Sequence, residues 1–563
     1  MTRFVFVVCC LLVSGCAFID DFSRFEVDPN RADAGDAGTP PDARVIDAPG
    51  CVARPETCNG EDDDCDGTTD EEPTECSFPN GLVGCVAGSC EMTECVGGFE
   101  DCTDEPGCET DPTSDPEHCG GCGMACLTGQ VCATSGCAYP RITAHHVLSD
   151  SGDARVYEVA VDASGGVVVA GLASNAGRRF SGSVVPGTGT VLARLSTPTT
   201  VDWARVGPTE LLDLSVGDTG VIFVASTFSG SLSFGTSNVS SRGDTVDGVI
   251  LSYEPSGAER SAAERGTSDG YDTLRAVEAR GGRWAIAGDT DGVFTGEAAR
   301  GDHDAFVGAS ITSFAPFPNQ YGGPGRDRFY DVALGADGSY TAIGFYYGEA
   351  AFGGPSPAPD HGEAVLEQSL IVSSYASDGV QRWQVTHPRY FGESGNEAHI
   401  TVDDDGNTYW TCGFWGGART PPDLGAGPLD APFVIASYDS AGSLRWATST
   451  FANVADADLT VSSDGILYVT GDYFEMSALV PGGDAFPWSG EQDCAVLAYD
   501  AATGDFLWGR SINSADRVSC SGVAAQAGGV WVVGSFRGTV DFGGSLETAT
   551  AGTSDGFLAF IEP

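Results

Sequence analysis

The sequence VAVDASGGVVVAG, from Val159 to Gly171, contains two runs of β-branched residues on either side of an Asp/Gly turn. This pattern predicts a β-hairpin. It recurs as LSVGDTGVIFVAS, AVEARGGRWAIAG, VALGADGSYTAIG, ITVDDDGNTYWTCG, LTVSSDGILYVTG and GVAAQAGGVWVVG. Successive copies end 55, 62, 56, 69, 58 and 63 positions apart, at Gly171, Ser226, Gly288, Gly344, Gly413, Gly471 and Gly534. One supersecondary unit therefore repeats over most of the chain.

Two further strands follow several of these hairpins. The third is apolar, as in DGVILSY at Asp247, and the fourth is marked by tryptophan at Trp383, Trp446 and Trp508. Seven units of four strands predict an all-β fold with a seven-bladed β-propeller over residues 141–563. A pair of β-sandwiches is the alternative, but it does not explain one period sustained over this length.

The two ends of the repeat are complementary. The last unit stops after its third strand, DGFLAFIEP, whereas residues 141–149 (RITAHHVLS) stand where a fourth strand normally precedes the next blade. An open ring would leave two unpaired strand edges, which closure removes. We therefore predict that Ile142–Val147 pairs antiparallel with Phe557–Ile561, so that both termini build blade seven.

Three cysteines lie within the predicted propeller. Cys494 begins a third strand and Cys520 precedes the next first strand. We expect these two cysteines to be bridged across the boundary between blades six and seven. Cys412 is then a buried strand cysteine of ordinary packing character.

A resemblance supports the propeller. The stretch GGPGRDRFYDVALGADG, from Gly322 to Gly338, with AFGG at Ala351, resembles the β-propeller repeats called SBBP, which occur in large exported bacterial proteins. The resemblance covers residues 141–563 and implies the fold. It implies little about function, because propellers serve as binding modules and as enzymes.

The charge excludes some functions. The chain has 80 Asp and Glu against 27 Lys and Arg, a formal net charge of −53. Binding of nucleic acid requires clustered cations, so no nucleic-acid partner is expected. The sequence contains no lysine, which excludes Schiff-base chemistry by this chain. We attribute the acidity to solubility or salt tolerance rather than to a binding surface.

The N-terminus predicts export. Residues 1–15 have one early arginine and a short apolar run, as a signal peptide does. Val13-Ser14-Gly15-Cys16 resembles a bacterial lipobox, which implies that Cys16 carries lipid and anchors the chain at the cell outer membrane or cell surface. An ordinary secretory signal is the alternative. Residues 16–50 are rich in Asp, Ala, Pro and Gly and predict a disordered tether.

Residues 51–140 contain fourteen cysteines and few aliphatic residues. This composition predicts a small module held together by disulfides in an oxidising compartment. The sequence does not determine which cysteines pair. Cys119-x-x-Cys122 with Cys126 also fits a zinc site, but the even cysteine count in an exported chain favours disulfides.

An acidic loop in this module, CNGEDDDCDGTTDEE, predicts a calcium site. Positions 1, 3, 5, 6 and 9 of a calcium-binding loop are occupied by Asp62, Asp64, Asp66, Gly67 and Asp70. Thr68 offers its backbone carbonyl at position 7. Position 12 is Pro73, so Glu71 or Glu72 would replace the usual bidentate glutamate. A solvated acidic loop without an ion is the alternative.

The whole string CNGxDDDCDGxxDE resembles the metal-binding motif of the MopE type, found in exported proteins of myxobacteria. GFEDCTDEPGCETDPTSDPEHCGGCGMACLTGQVC, from Gly98, resembles the cysteine-rich stretch that accompanies this motif. The MopE family is associated with copper. The loop has no histidine and only hard oxygen ligands, so Ca²⁺ fits it better.

No catalytic constellation is recognisable. Asp302-His303-Asp304 and the Asp403-Asp404-Asp405-Gly406 run are best interpreted as polar turns. The acidic composition makes some pair of carboxylates at glycosidase spacing inevitable, so it carries no information. We expect a non-enzymatic surface lipoprotein whose propeller binds or scaffolds a protein or glycan ligand. A secreted propeller enzyme acting on polysaccharide is the alternative, and converging acids with aromatic platforms in the central channel would favour it.

Overall fold

The computed structural model describes residues 52–563 with gaps. The residues outside the description, besides 1–51, are 72–75, 104, 127–129, 134–135, 150, 175–177, 188, 209–210, 244, 269, 295–299, 311–318, 361–367, 389–397, 414–423, 428, 430–432, 451–452, 475–488 and 551. The predicted signal peptide, Cys16 and the predicted tether lie outside the described residues. Within the described ranges no helix is long and apolar enough to cross a membrane.

The chain divides into two compact units, Met1–Glu94 and Cys95–Pro563. Six disulfides link cysteines among the described residues of the cysteine-rich region, as expected. They are Cys58–Cys85, Cys76–Cys90, Cys95–Cys108, Cys102–Cys122, Cys119–Cys132 and Cys126–Cys137. The strands of this region are β1 (Gly81–Val86), β2 (Ser89–Cys95), β3 (Val131–Ala133) and β4 (Gly136–Ala138). The three cysteines considered for zinc are thus all in disulfides.

The remaining strands build the propeller. Up to the end of blade 2 they are β5 (Arg141–Ser149), β6 (Ala154–Val161), β7 (Val167–Ala173), β8 (Arg179–Phe180), β9 (Ser183–Val184), β10 (Gly189–Thr197), β11 (Thr200–Val206), β12 (Leu211–Val216), β13 (Ile222–Phe228), β14 (Ser231–Phe234), β15 (Ser237–Ser240), β16 (Asp247–Tyr253) and β17 (Glu259–Arg265).

Blades 3 to 5 follow. Their strands are β18 (Asp272–Arg280), β19 (Arg283–Thr290), β20 (Asp304–Ser310), β21 (Asn319–Tyr321), β22 (Arg328–Leu334), β23 (Tyr340–Tyr346), β24 (Ser369–Tyr375), β25 (Gln381–Pro388), β26 (His399–Val402), β27 (Thr408–Gly413), β28 (Phe433–Tyr438) and β29 (Leu444–Thr450).

Blades 6 and 7 complete the chain. Their strands are β30 (Asn453–Val461), β31 (Ile466–Tyr473), β32 (Asp493–Asp500), β33 (Phe506–Ile512), β34 (Val518–Gln526), β35 (Gly529–Phe536), β36 (Thr539–Asp541), β37 (Leu546–Thr548) and β38 (Asp555–Glu562). The sheets of blades 1 to 6 are β6-β7-β10-β11, β12-β13-β16-β17, β18 to β21, β22 to β25, β26 to β29 and β30 to β33.

The seventh sheet closes the ring as predicted. Its order is β34-β35-β38-β5, followed by β8-β9. Strand β5 pairs antiparallel with β38, and Ile142 faces Ile561 while Val147 faces Phe557. The hairpin β8-β9, which the sequence did not predict, extends this sheet through pairing of Leu148 with Phe180.

The cores lie between neighbouring blades. The described buried apolar side chains form seven clusters, one at each blade interface including the closing one between blades 7 and 1. Cys494 and Cys520 form the predicted disulfide across the interface of blades 6 and 7, although Cys520 lies within β34 rather than before it. Cys412 is buried in β27.

The glycine that ends most repeats has a packing reason. At Gly344, an added Cβ would lie 2.0 Å from the carbonyl oxygen of Arg328 in the neighbouring first strand. The same contact measures 2.4 Å at Gly171, 2.0 Å at Gly288 and 1.9 Å at Gly534. Any side chain would collide with backbone at these four positions, so the recurring glycine marks a close approach of two strands.

Candidate functional site

The first strand of most blades contains a β-bulge next to this glycine. In β22, the pairing register shifts between Phe329 and Asp331, so Tyr330 is the extra residue. Equivalent shifts occur in β6, β12, β18 and β34, and β30 is irregular at the same place. A bulge redirects the side chains beside it. The residues that follow the irregularity are Glu158, Asp213, Ala276, Asp331, Asp458 and Gly522.

These positions, apart from Gly522, line one cavity on the propeller axis. All seven first strands line it, and its volume is about 320 Å³. We call it the axial cavity. Its charged and titratable lining residues are Glu158, Asp213, Arg275, Glu278, Arg280, Tyr330, Asp331, His399 and Asp458. Polar groups from separate blades thus converge on a space large enough for a small ligand group.

Three aspartates make the same pair of hydrogen bonds in blades 2, 4 and 6. We call Asp213, Asp331 and Asp458 the axial aspartates. Each accepts a 2.7 Å hydrogen bond from the next N–H of its own strand. The other oxygen of each accepts an N–H of the following blade: Val277 N–H at 2.6 Å, Ile400 N–H at 2.9 Å and Val523 N–H at 2.9 Å, respectively. The three side chains therefore join blade 2 to 3, 4 to 5 and 6 to 7.

Two further side chains complete the lining. The His399 Nδ1 atom lies 3.7 Å from Asp331 Oδ2 and 3.8 Å from Asp458 Oδ1, so this ring lies between two axial aspartates. Glu278, in β18, accepts a 3.1 Å hydrogen bond from the hydroxyl of Ser215. A histidine and five carboxylates on one cavity can bind a positively charged group or exchange protons with it.

Burial in the protein raises the pKa values of three of these acids. Burial, followed by the negative charge of Asp331, raises the pKa of Asp213 to about 8. Burial also raises the pKa of Glu278 to about 7, although the Ser215 hydroxyl opposes this. The pKa of Asp331 is raised to about 6 by burial, against the effect of His399. Groups that titrate near neutral pH and line a cavity are typical of functional sites.

The arginines of the lining have other partners. Arg275 lies 2.5 Å from Asp289, and its guanidinium is 5.0 Å from the ring centroid of Tyr330. Arg280 pairs with Asp404, beside a second cleft of about 640 Å³ that also contains Glu278. These contacts leave the carboxylates in excess at the axial cavity.

The acidic runs singled out in the propeller behave as turns. Asp403 accepts hydrogen bonds from the N–H groups of Asp405 and Asn407 and from the Tyr409 hydroxyl. In the other run, Asp302 pairs with Arg326 and His303 lies 3.5 Å from Asp289, so their side chains have separate partners. Asp302 and Asp403 thus serve local structure.

The predicted calcium ligands fold onto their own loop. Asp62 accepts the N–H groups of Asp66 and Gly67 at 3.1 and 3.0 Å, and Gly67 has the positive φ of 96° that a tight turn requires. Asp66 accepts the N–H of Thr68 at 2.8 Å. Asp70 lies apart and accepts the N–H groups of Asn59 and Gly60, both at 2.9 Å.

The structure brings a different set of acids together. One carboxylate oxygen from each of Glu56, Asp64 and Glu71 lies within 4.8 Å of the others. Glu56 is buried and accepts the N–H groups of Asp64 and Asp70 at 2.7 and 3.0 Å. Both carboxylate oxygens of Glu71 are buried, and neither accepts a hydrogen bond from another described residue. Hard oxygen donors with an orphaned carboxylate fit a Ca²⁺ ion.

The charge environment of Glu71 agrees with this fit. Its own backbone N–H favours the charged form, but burial and the negative charges of Asp66, Glu56 and Asp64 outweigh it and raise the pKa of Glu71. Sequence reasoning missed Glu56, because it precedes Cys58 and lies outside the loop pattern. Glu72 and Pro73 lie outside the described residues.

Comparisons with known proteins give weak structural similarity only. Neither a family model nor a curated protein sequence matches the chain. A protein of unknown function from Dyadobacter fermentans has 11% identity and a TM-score of 0.39, covering 75% of this chain and 99% of that one. The Trypanosoma rangeli sialidase has 10% identity and a TM-score of 0.31, covering 64% and 56%. Quinohemoprotein alcohol dehydrogenase ADHIIG from Pseudomonas putida has 9% identity and a TM-score of 0.32, covering 73% and 76%. None of these similarities bears on function.

Proposed function

We propose that this chain is a lipid-anchored surface protein whose propeller binds a ligand that presents a positively charged group. The ligand's cation would enter the axial cavity. A basic side chain of a partner protein suits this cavity better than a neutral glycan. The cysteine-rich module, stiffened by Ca²⁺, would act as the stalk.

One observation carries the binding proposal. Glu158, Glu278 and the axial aspartates converge on one cavity, where the arginines already have other partners. Carboxylates held in a poorly solvated cavity favour a cation or a proton as occupant. Charge complementarity therefore selects a basic group, and the affinity for it should fall as salt increases.

The enzyme alternative has less support. Converging acids are present, but Tyr330 is the aromatic residue among the described lining, and the Arg275 guanidinium covers its ring. A sugar ring stacks on an open aromatic face, which this arrangement does not offer. The site therefore favours binding of a cation over binding of a polysaccharide.

A binding screen on the full chain tests the proposal. The probes are an arginine-rich peptide, an acidic peptide of equal length and neutral oligosaccharides, measured by calorimetry. We expect binding of the arginine-rich peptide alone, weakened at least tenfold by Asp331→Asn. Asp439→Asn, in an exposed hairpin turn, is the matched control and should bind as the native chain does. Equal affinity of Asp331→Asn and the native chain would exclude the axial cavity.

The anchor proposal rests on the lipobox-like Val13–Cys16 stretch. Metabolic labelling with a radioactive fatty acid should label the native chain, and Cys16→Ser should abolish the label and release the protein from the membrane fraction. Labelling that persists in Cys16→Ser would refute lipidation at this residue.

The calcium proposal rests on the orphaned carboxylate of Glu71 and its neighbours. Calorimetry on the disulfide-bonded full chain should show Ca²⁺ binding by the acidic loop, which Asp62→Ala or Asp66→Ala weakens and Glu71→Gln removes. Glu94→Gln, in β2, is a matched control because Glu94 lies outside the group of converging acids. Identical heats for Glu71→Gln and the native chain would refute the site.

A further inference from the structure

Two buried aspartates meet at the junction of blades 3 and 4, away from the sites described above. Asp304 begins β20, the third strand of blade 3, and is 2% exposed. Asp327 immediately precedes β22, the first strand of blade 4, and is fully buried. An added Cβ at Gly322 would lie 2.6 Å from Asp304 Oδ1 and 2.6 Å from Asp327 Oδ2. At most twice that distance therefore separates the two oxygens.

The hydrogen bonds at this pair are incomplete. Asp327 accepts N–H groups at both oxygens, from Gly323 at 2.6 Å and Tyr347 at 3.2 Å. The Oδ2 atom of Asp304 accepts the Arg300 N–H at 3.0 Å and a Gln320 side-chain N–H at 2.7 Å. Its Oδ1 atom is buried and accepts no hydrogen bond from a described residue. A buried carboxylate oxygen without a donor costs free energy unless something else binds it.

The junction of blades 2 and 3 has the same architecture with its donors supplied. Asp247 begins β16, Asp272 begins β18, and an added Cβ at Gly266 would lie 2.4 Å from Asp247 Oδ2. The Thr267 hydroxyl donates to Asp272 Oδ2 at 3.1 Å, and the Thr245 hydroxyl reaches Asp247 Oδ1 at 3.5 Å. Side-chain hydroxyls thus donate to the aspartates of this junction, whereas Asp304 Oδ1 at the junction of blades 3 and 4 has no donor among the described residues.

The two junctions also differ in charge. Burial raises the pKa of Asp247, and the nearby Arg242 guanidinium opposes this. At the junction of blades 3 and 4, the exposed Arg326 pairs instead with Asp302, at 2.9 Å. Burial and the charge of Asp304 raise the pKa of Asp327 to about 7, against the effect of the Gly323 and Tyr347 N–H groups.

We propose that Asp304 and Asp327 bind a divalent cation, Ca²⁺, that joins blades 3 and 4. The donors are carboxylate oxygens, which hard cations prefer. Ca²⁺ binds oxygens at about 2.3–2.6 Å, so one ion can contact two oxygens whose separation stays within the upper limit that the Gly322 contacts set. The ion supplies a positive charge, as Arg242 does at the neighbouring junction. It also supplies a partner for Asp304 Oδ1, as the two threonines do for the aspartates there.

Calorimetric melting of the full chain tests this site. All proteins carry Glu71→Gln, so that the acidic loop does not contribute. We expect Ca²⁺ to raise the melting temperature of the propeller relative to chelator, and Asp304→Asn to abolish that increase. Asp247→Asn is the matched control and should retain it. An unchanged Ca²⁺-dependent increase in Asp304→Asn would overturn the proposal.

A second measurement does not depend on the variants folding. Crystals grown with Tb³⁺, which replaces Ca²⁺, should show an anomalous peak between Asp304 and Asp327 in the native chain. No peak there, or a chain whose propeller melts identically with Ca²⁺ and with chelator, would overturn the proposal and assign a shared proton to this pair.

Discussion

Aspartates occur in two regions of the propeller, the hairpin turns and the axial cavity. Their pKa values are shifted in opposite directions in the two regions. In the turns, Asp439 accepts the N–H groups of Ala441 and Ser443 at 2.9 and 2.8 Å, and these bonds lower its pKa. On the axis, Asp213 also accepts two N–H groups, yet burial raises its pKa to about 8. The same residue type with the same number of backbone donors is stabilised as an anion in one place and penalised in the other.

Turn and axial aspartates differ in how far along the chain their hydrogen-bond donors lie and in their contact with water. A turn aspartate binds donors two to four residues away and stays in contact with water, so its site forms whenever the hairpin forms. An axial aspartate binds a donor of the next blade, 64 residues away for Asp213 and Val277, and faces other acids. Its site exists only in the closed ring. Turn and axial carboxylates can therefore be separated by what surrounds them.

Opening the ring should have the largest effect. Deletion of residues 142–147 removes the strand that pairs with β38, leaving two sheet edges exposed. We expect the propeller melting temperature to fall by roughly 10 °C or more, equivalent to about 5 kcal/mol. A variant lacking residues 17–22 of the predicted tether is the length-matched control. Equal melting of the two variants would refute closure by this strand.

The second largest loss of stability is expected from substitution of the glycine opposite the bulge. Gly344→Ala places a Cβ 2.0 Å from the Arg328 carbonyl oxygen, and the backbone must move. We expect a loss of about 3 kcal/mol or more in the free energy of unfolding, measured by denaturant titration. Gly217→Ala, whose nearest contact is 3.6 Å away, should change it by less than about 1 kcal/mol. Similar losses in both would show that the bulge does not require glycine.

Removal of a turn aspartate should lower the free energy of unfolding by a local effect, and equally at every pH near neutral. Asp403→Ala removes the acceptor of the Asn407 N–H and of the buried Tyr409 hydroxyl. We expect a loss of about 2 kcal/mol in the free energy of unfolding. The exposed neighbour provides the control, since Asp405→Ala should be within about 0.5 kcal/mol of the native chain.

The pH dependence should separate the two regions. The folded-state pKa values of Asp213 and Asp331 are raised, so the stability they contribute is present below about pH 4 and is lost as the pH rises through their folded values. Asp439 and Asp337 have lowered pKa values, so their contribution is lost only on acidification below about pH 4. The melting temperature should thus fall by a few degrees from about pH 5 to about pH 8. Asp213→Asn should reduce this fall and Asp439→Asn should not.

The sequence predicted the parts of the structure that local patterns encode. Hairpin turns, the glycine that ends most repeats and the missing fourth strand of the last unit were all visible, and they sufficed for seven blades and the closing strand. The hairpin β8-β9 was missed because Arg179–Phe180 and Ser183–Val184 are too short to carry a pattern.

The axial cavity could not be predicted, because it depends on pairing register. Asp213, Asp331 and Asp458 each stand just before a repeat that was recognised, at Leu214, Val332 and Leu459. Only the bulge, and the convergence of seven first strands, directs them to one place. An aligned view of the repeats would have shown an acid at this position in blades 1, 2, 4 and 6, which was the signal available.

The most direct test of the axial site is a melting experiment with a simple cation. Argininamide, which carries a guanidinium, should raise the melting temperature of the full chain at about pH 8, because a ligand that binds the folded state stabilises it. We expect Asp331→Asn to lose this increase and Asp439→Asn to keep it, with glycinamide producing a smaller increase than argininamide in the native chain and in Asp439→Asn. An equal increase in the native chain and in Asp331→Asn would contradict a cation-binding function for the axial cavity.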